Sequence, residues 1–460
     1  MYIIEQNSKT PLHIQLYNEI KNDIENNLNI GDKLPSIRKI SSLYNLSKTT
    51  VESAYTQLYA EGYIESYPKS GYVVCDTIYK EFTSKNSIIH KNAEDTKELN
   101  YKYDFAPARL SKDSFPLKLW KRVFNKAINE SINFGAYTNG KGEIGLKEEI
   151  AKYLISSRGV KCHANQVIIT NGFGDSMGLL AKILKNDNKL FAMENPGYYV
   201  ASQVFENYGY KIDKISVNEN GINLNELYNS KAKIVYVTPS HQYPTGVSIP
   251  ITNRLKLLEW ANTQNGIILE DDYDSELSYV NRPIPSLQGL DDNEKVVYLG
   301  TFSKSLSPAL RVSYIVLPNF LLQEVDKYFD AYFSKVSLFT QKTLELFLKD
   351  GHWDKHLRKI RTLNRKKHNL MRNLLKEYLG NSMEILVQGG GLSIIIKPTV
   401  KLDLNKLKEQ AIKEKIKIYF TNNYEKENWW GIRMGFGGFK EEEIKAAVIV
   451  FSKIYNKSII

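Results

Sequence analysis

The sequence predicts two folded units of different class: a small α+β head of three helices and a hairpin, and a large α/β unit with a mainly parallel sheet. Three observations carry this. Apolar residues recur at helical spacing three times within the first sixty residues, and two short β-prone runs follow. Between about residues 76 and 103 the pattern dissolves into polar and charged residues without a period, as in a solvated linker. Beyond residue 104, short apolar runs alternate with helical patterns, which is the signature of strands covered on both faces. At 460 residues the chain is too long for one ordinary core.

In the head, Leu12, Leu16, Ile20 and Ile24 form a period-four row just after Pro11 and predict an amphipathic helix closed by Gly31. Ser36 opens a second short helix with Ile37, Ile40 and Leu43 on one face and Arg38 on the other. Asn45-Leu46 is a tight connection, and Ser47 stands where an N-cap belongs. Val51, Ala54, Tyr55 and Leu58 then predict a third helix, ended by Gly62. Tyr63-Ile64 and Tyr72-Val73-Val74, joined by Pro68-Lys69-Ser70-Gly71, read as a hairpin, and so as a wing. Two short helices, a tight turn and a hairpin describe a winged helix-turn-helix, whose third helix enters the major groove by its N-terminal end.

Leu34-Pro35-Ser36-Ile37-Arg38, Leu46-Ser47-Lys48-Thr49-Thr50-Val51 and Ala54-Tyr55 to Glu61-Gly62 resemble the GntR family of bacterial regulators. The resemblance implies that residues 1–75 bind DNA through Arg38, Ser47, Lys48, Thr49 and Thr50, with Gly71 in the wing. Lys48 stands where that family often has Arg, exchanging a bidentate fork for a point charge, and Lys69 replaces a frequent wing glycine.

In the second unit, Val167-Ile168-Ile169, Ile234 to Val237, Ile267 to Leu269 and Val296 to Leu299 read as buried strands. Ligands of such sheets sit beyond the C-terminal strand ends, so the residues just after each run matter most. They are Thr170-Asn171-Gly172-Phe173-Gly174, a glycine turn opening a helix; Thr238 to Gly246; Glu270-Asp271-Asp272-Tyr273-Asp274; and Gly300-Thr301-Phe302-Ser303-Lys304, with Arg311 beyond. A glycine turn at a helix start offers free amides to an anion. Taken singly, Lys304 and Arg433 read as surface groups, Asp271 as a loop cap and Tyr273 as a core aromatic; their order and joint occurrence decide otherwise.

Those segments, in that order, resemble the fold-type I, class I aminotransferases from about residue 104 to the end, with a smaller C-terminal α/β subdomain over about 335–460. The resemblance implies pyridoxal 5'-phosphate as cofactor. Lys304 is then the amine that joins the cofactor as an aldimine, and Asp271 the carboxylate that keeps the pyridine nitrogen protonated. Tyr273 would meet the ring hydroxyl and Tyr198 the ring face. Thr301, Arg311 and the amides of Phe173 and Gly174 would hold the phosphate. Arg433 matches the family arginine for a substrate carboxylate, and Tyr137 a tyrosine that reaches the neighbouring subunit's phosphate, which implies a homodimer. Asp175 adds a negative group near the phosphate cup, unfavourable unless it caps the helix, and Tyr243 replaces an asparagine of many true aminotransferases.

The formal charge of +11 invites a nucleic-acid partner, yet residues 1–75 hold seven Lys/Arg against eight Asp/Glu, so the excess lies elsewhere. Part of it crowds one segment, Lys355 to Arg372, whose Leu357, Ile360, Leu363 and Leu370 predict a helix with an apolar side. That segment is either a solvated helix face or an auxiliary DNA track. Only two cysteines occur, Cys75 and Cys162, far apart, which speaks against a disulfide framework or a zinc site and for a reducing cytosol. No apolar run approaches a membrane span, and the start has no signal-peptide pattern.

The two domains in this order resemble the MocR subgroup of GntR regulators, which implies a dimer with swapped heads that controls genes of amino-compound or vitamin-cofactor metabolism. An amine, an amino acid or pyridoxal phosphate itself would be the effector. Two other readings stay open: a catalytically active aminotransferase with a DNA-binding head, and a regulator whose second domain is an empty dimerisation scaffold.

Overall fold

The structure is a computed structural model that describes residues 2–67, 71–75, 100–133, 135, 137–184, 189–279, 285–329, 334–386, 389–421 and 430–460. The chain divides into two compact units, Met1–Glu98 and Leu99–Ile460. Of the expected linker 76–103, residues 76–99 lie outside the described ones, as does Lys69.

The head has the expected elements: helices Leu12–Asn26, Ile37–Tyr44 and Lys48–Ala60, then antiparallel strands Ile64–Tyr67 and Gly71–Val74. Leu16, Ile20, Ile24, Val51, Ala54, Tyr55 and Leu58 close its core, each large side chain contributing roughly 1.5–3 kcal/mol of burial. Tyr55 donates a hydrogen bond to the Pro35 carbonyl at 2.7 Å, tying the third helix to the segment that opens the second. One expectation fails. Leu43 is not part of the apolar face but 62% exposed. The inward position one turn beyond Ile40 is Tyr44, four residues on, which stacks on Tyr2 with centroids 5.5 Å apart.

The second unit is built on an eight-stranded sheet. In spatial order its strands are Val167–Thr170, Ser313–Val316, Val296–Thr301, Ile267–Asp271, Ile234–Val237, Leu190–Asn195, Lys211–Asn218 and Gly221–Ile222. The five from Val296–Thr301 to Lys211–Asn218 pair in parallel, and Ser313–Val316 runs antiparallel between its two neighbours. All four expected strands are present. Buried clusters lie on both faces of this sheet, as its near-continuous apolar runs require.

A second, antiparallel sheet of Met383–Ile385, Ser393–Pro398, Ile432–Gly435 and Tyr419–Phe420 forms the smaller subdomain under helices Leu404–Lys413 and Glu441–Lys457. Its core reaches outside the expected span of about 335–460. Leu344, Phe347, Trp353, Leu357, Ile360 and Leu392 belong to the large core, whereas Phe105 and most of the buried apolar residues from Met371 onward belong to the small one. The long helix His352–Leu379 runs through both cores, so no sharp boundary exists there.

Candidate functional site

The strand ends and loops named from sequence converge on one cavity of about 530 Å³, a size suited to a cofactor or drug-sized ligand. Phe173, Gly174, Tyr198, Tyr243, Asp271, Tyr273, Thr301, Lys304, Arg311 and Arg433 all line it. Tyr137 does not: its side chain is 83% exposed.

One end of the cavity is built for an anion. Helix Phe173–Ile183 begins at Gly172, whose φ is +82°, and its first amides have no acceptor within the helix. A Cβ on Gly172 would stand 2.0 Å from Nη2 of Arg311, so only glycine lets backbone and guanidinium meet there. The Thr301 hydroxyl accepts from Ser313 at 3.0 Å and from the Ser303 amide at 3.1 Å. Asp175 does not intrude: its Oδ2 accepts from the Asn171 amide at 2.9 Å, and the other oxygen pairs with Lys335. The sequence pattern therefore permits the acid because it closes the turn.

At the centre, Lys304 holds its ammonium 5.3 Å from the Tyr273 ring centroid. Burial pushes this amine down to about 8, opposed by the carboxylates of Asp274 and Asp271 and assisted by Arg433. Asp271 is buried at the end of strand Ile267–Asp271 and accepts a 2.5 Å hydrogen bond from the Tyr236 hydroxyl. Burial raises this carboxyl to about 7, with the Tyr236 hydrogen bond opposing. Tyr273 turns its hydroxyl to the His241 carbonyl at 3.2 Å, and Tyr198 meets Phe173 and Tyr243 edge-on at 5.1 Å.

At the far end, Arg433 comes from strand Ile432–Gly435 of the small subdomain. Its Nη1 donates to the Tyr243 hydroxyl at 2.5 Å, and its guanidinium lies 4.7 Å from that ring's centroid. Its Nε is buried without a partner, and among the described residues no carboxylate pairs with it.

Sequence reasoning missed the groups that set these in place. Tyr236 hides inside the run Ile234–Val237, where an aromatic reads as core. The buried Glu194 accepts from the Thr238 amide and hydroxyl at 3.1 and 2.7 Å and from Gln242 at 3.3 Å, fastening the loop that carries Tyr243. Arg158 and Asp272 form a buried pair at 2.6 Å, with the Tyr298 hydroxyl also on Asp272 at 2.7 Å. His241 and Asp274 meet at 3.2 Å in a recess of about 30 Å³ that shares Lys304 and Arg433 with the main cavity. Ser240-His241-Gln242 and Tyr273-Asp274 offer no spacing rule that would join them.

On the head, Arg38, Ser47, Lys48, Thr49 and Gly71 are exposed and Thr50 is half-buried. Ser47 caps the third helix, its Oγ accepting from the Thr50 amide at 3.1 Å while sharing hydrogen bonds with the hydroxyls of Thr49 and Thr50. Gly71 has φ +88°, a conformation that side-chain-bearing residues rarely adopt.

Comparison with known proteins agrees with both units. Residues 12–74 match the gntR family of bacterial regulatory proteins, and residues 107–450 match aminotransferase class I and II. The HTH-type transcriptional regulator YhdI of Bacillus subtilis is 34% identical over 97% of this chain and 96% of its own length. The probable rhizopine catabolism regulatory protein MocR of Rhizobium meliloti is 30% identical over 88% and 85%. Among solved structures, the multiple substrate aminotransferase of Thermococcus profundus superposes with a TM-score of 0.70 at 23% identity, covering 83% of this chain and 98% of that one, a likeness of fold. The chain therefore belongs to the MocR group of GntR-family transcriptional regulators, in which a DNA-binding head precedes a pyridoxal phosphate-binding domain of the class I and II aminotransferase fold.

Proposed function

We propose that this regulator holds pyridoxal 5'-phosphate at Lys304 and reports either a small amine bearing a carboxylate or the cofactor itself to its DNA-binding head. The observation that carries the reading is the cavity in which a buried lysine, a buried aspartate, an anion cradle and an arginine that meets no carboxylate among the described residues come together. When bound, the cofactor supplies an aldehyde carbon that reacts with amines and a ring that accepts electrons. Lys304 is the amine for that carbon, and its lowered pKa leaves a usable fraction uncharged near neutrality. Asp271, steadied by Tyr236, would hold the pyridine proton, and Tyr273 and Tyr198 would fix the ring. Phe173, Gly174, Thr301 and Arg311 would hold the phosphate, and Arg433 the effector's carboxylate, with the Tyr243 hydroxyl competing for its Nη1. Arg38, Ser47, Lys48, Thr49 and Thr50 would read the operator, with Gly71 shaping the wing.

Tyr137 supports a homodimer with shared sites: it is exposed on its own protomer, as a residue that serves a second copy must be. Among the described residues no helix is long and apolar enough to cross a membrane, and we place the protein in the cytoplasm with its operator. An effector acts only through a difference in affinity between two arrangements of the molecule. A second reading, turnover as an aminotransferase, is favoured by the complete lysine, aspartate and arginine set and opposed by Tyr243 standing on Arg433.

The test is borohydride reduction of the purified, cofactor-loaded chain followed by peptide mapping, with keto-acid assays after addition of carboxylate-bearing amines. Cofactor retained on the Lys304 peptide, without steady keto-acid release, is the expected outcome. Retention on another lysine contradicts the reading, and steady release replaces sensing by catalysis.

A further inference from the structure

The long helix His352–Leu379 carries a charged stripe that the pocket and the head do not use. Lys355, Arg358, Lys359, Arg365, Lys366 and Arg372 are all exposed. At 3.6 residues per turn they fall within an arc of about 140°, over a length of about 26 Å. From Lys355 to Lys376 the helix contains no Asp or Glu, and its acids stand only at the two ends, Asp354 and Glu377. None of the six makes an ion pair among the described residues. The two other cations between Lys355 and Arg372 are spent on structure: Arg361 donates to the Glu276 carbonyl at 2.5 Å, and the buried Lys367 to the Gly437 carbonyl at 3.2 Å.

We infer that this stripe is a second, sequence-independent DNA contact, a track for the phosphate backbone on the large unit. The inference rests on the reading of the chain as a DNA-binding regulator. Two features select phosphate over an acidic protein surface. The exposed positions between the cations are Thr362 and Asn369, and Asn373 follows Arg372, all neutral donors of the kind that touch phosphates. The stripe also lacks the exposed aromatic or aliphatic anchors on which protein interfaces depend. The head, with seven basic residues against eight acidic ones, carries no net positive charge to draw a duplex. The stripe provides six point charges and forks for that purpose.

The probe is a fluorescein-labelled, mixed-sequence duplex about four helical turns long, titrated with the full chain loaded with pyridoxal phosphate across a series of salt concentrations. Replacing all six residues by Gln is expected to flatten the dependence of log affinity on log salt by about two or more, since each lost phosphate contact removes about 0.9. Exchanging Lys for Arg and Arg for Lys at the same six positions is expected to keep the parent's slope, which separates charge from helix integrity. A flattening smaller than two, or an equal flattening in the charge-keeping variant, overturns the track. A parent chain that fails to bind the duplex at low salt overturns the regulator reading together with it. Loss of binding to poly-L-glutamate with an unchanged DNA slope assigns the stripe to an acidic protein and overturns the inference as well.

Discussion

Tyr243 stands on the group that a carboxylate-bearing ligand needs. Its hydroxyl takes Nη1 of Arg433 at 2.5 Å and its ring lies against the guanidinium, so a ligand must share or displace it. Tyr243→Phe keeps the ring and frees Nη1, and it should tighten binding of carboxylate-bearing amines by roughly tenfold, the scale of one hydrogen bond to a charged group. Titration of the cofactor's visible absorbance with such amines measures this; unchanged or weaker binding would show that Tyr243 helps to hold the carboxylate instead. Acid–base behaviour belongs to the same scale. The Lys304 amine sits at about 8 and the Asp271 carboxyl at about 7, both displaced first by burial. Capture of the cofactor uses the uncharged amine and the ionised carboxylate, and both become more abundant as pH rises. The rate of cofactor uptake by the bare chain should therefore climb from about pH 6 to 9 and level off above the lysine's midpoint. Stopped-flow absorbance checks it, and a rate that falls over this range contradicts the assignment. The chemical residues of the large sheet were legible in the sequence because each lies at a strand end or in the loop beyond it, while Arg433, inside strand Ile432–Gly435, was legible only from its motif. Tyr236, Glu194 and Arg158 were not, because a buried tyrosine, a buried acid and a helix-terminal arginine have the same sequence appearance whether they support a site or a core.

Among the elements, the glycine turn before helix Phe173–Ile183 and the end of strand Ile267–Asp271 fix the pocket. The latter is anchored sideways by the Arg158–Asp272 pair, which ties helix Ile144–Arg158 to the strand end that carries Asp271. Removing one partner leaves a buried charge alone, so Arg158→Ala should destabilise the second unit by about 3–5 kcal/mol. Thermal unfolding of the cofactor-free chain reads this, and a loss under about 1 kcal/mol would show that water replaces the arginine. The strands expected from sequence are short, wholly apolar runs. Those not expected have weaker signatures: Leu190–Asn195 ends in Glu-Asn, Lys211–Asn218 alternates as an outer strand does, and Ser313–Val316 opens on a serine. Leu43 was misjudged for a related reason. A helix of eight residues gives too few turns for its buried arc to be centred from sequence.

At the scale of the whole molecule, the chain joins a nearly neutral reader to a strongly basic second unit, and its +11 charge resides mostly where the motifs do not look. The order of the two units and the class of each were legible from motifs alone. The division of the second unit's cores was not, since one long helix serves both and its sequence shows a single uninterrupted period. Regulation requires that occupancy of the pocket change the affinity of the head, a coupling that typically amounts to 5–150-fold in binding. The most direct test is the affinity of the full chain for its selected operator, measured at one salt concentration with and without pyridoxal phosphate, in the parent and in Lys304→Ala. The parent should shift by at least fivefold on cofactor loading, and Lys304→Ala should neither shift nor acquire the visible absorbance of the lysine-bound cofactor. An equal shift and an equal absorbance in both chains would contradict the account at its centre.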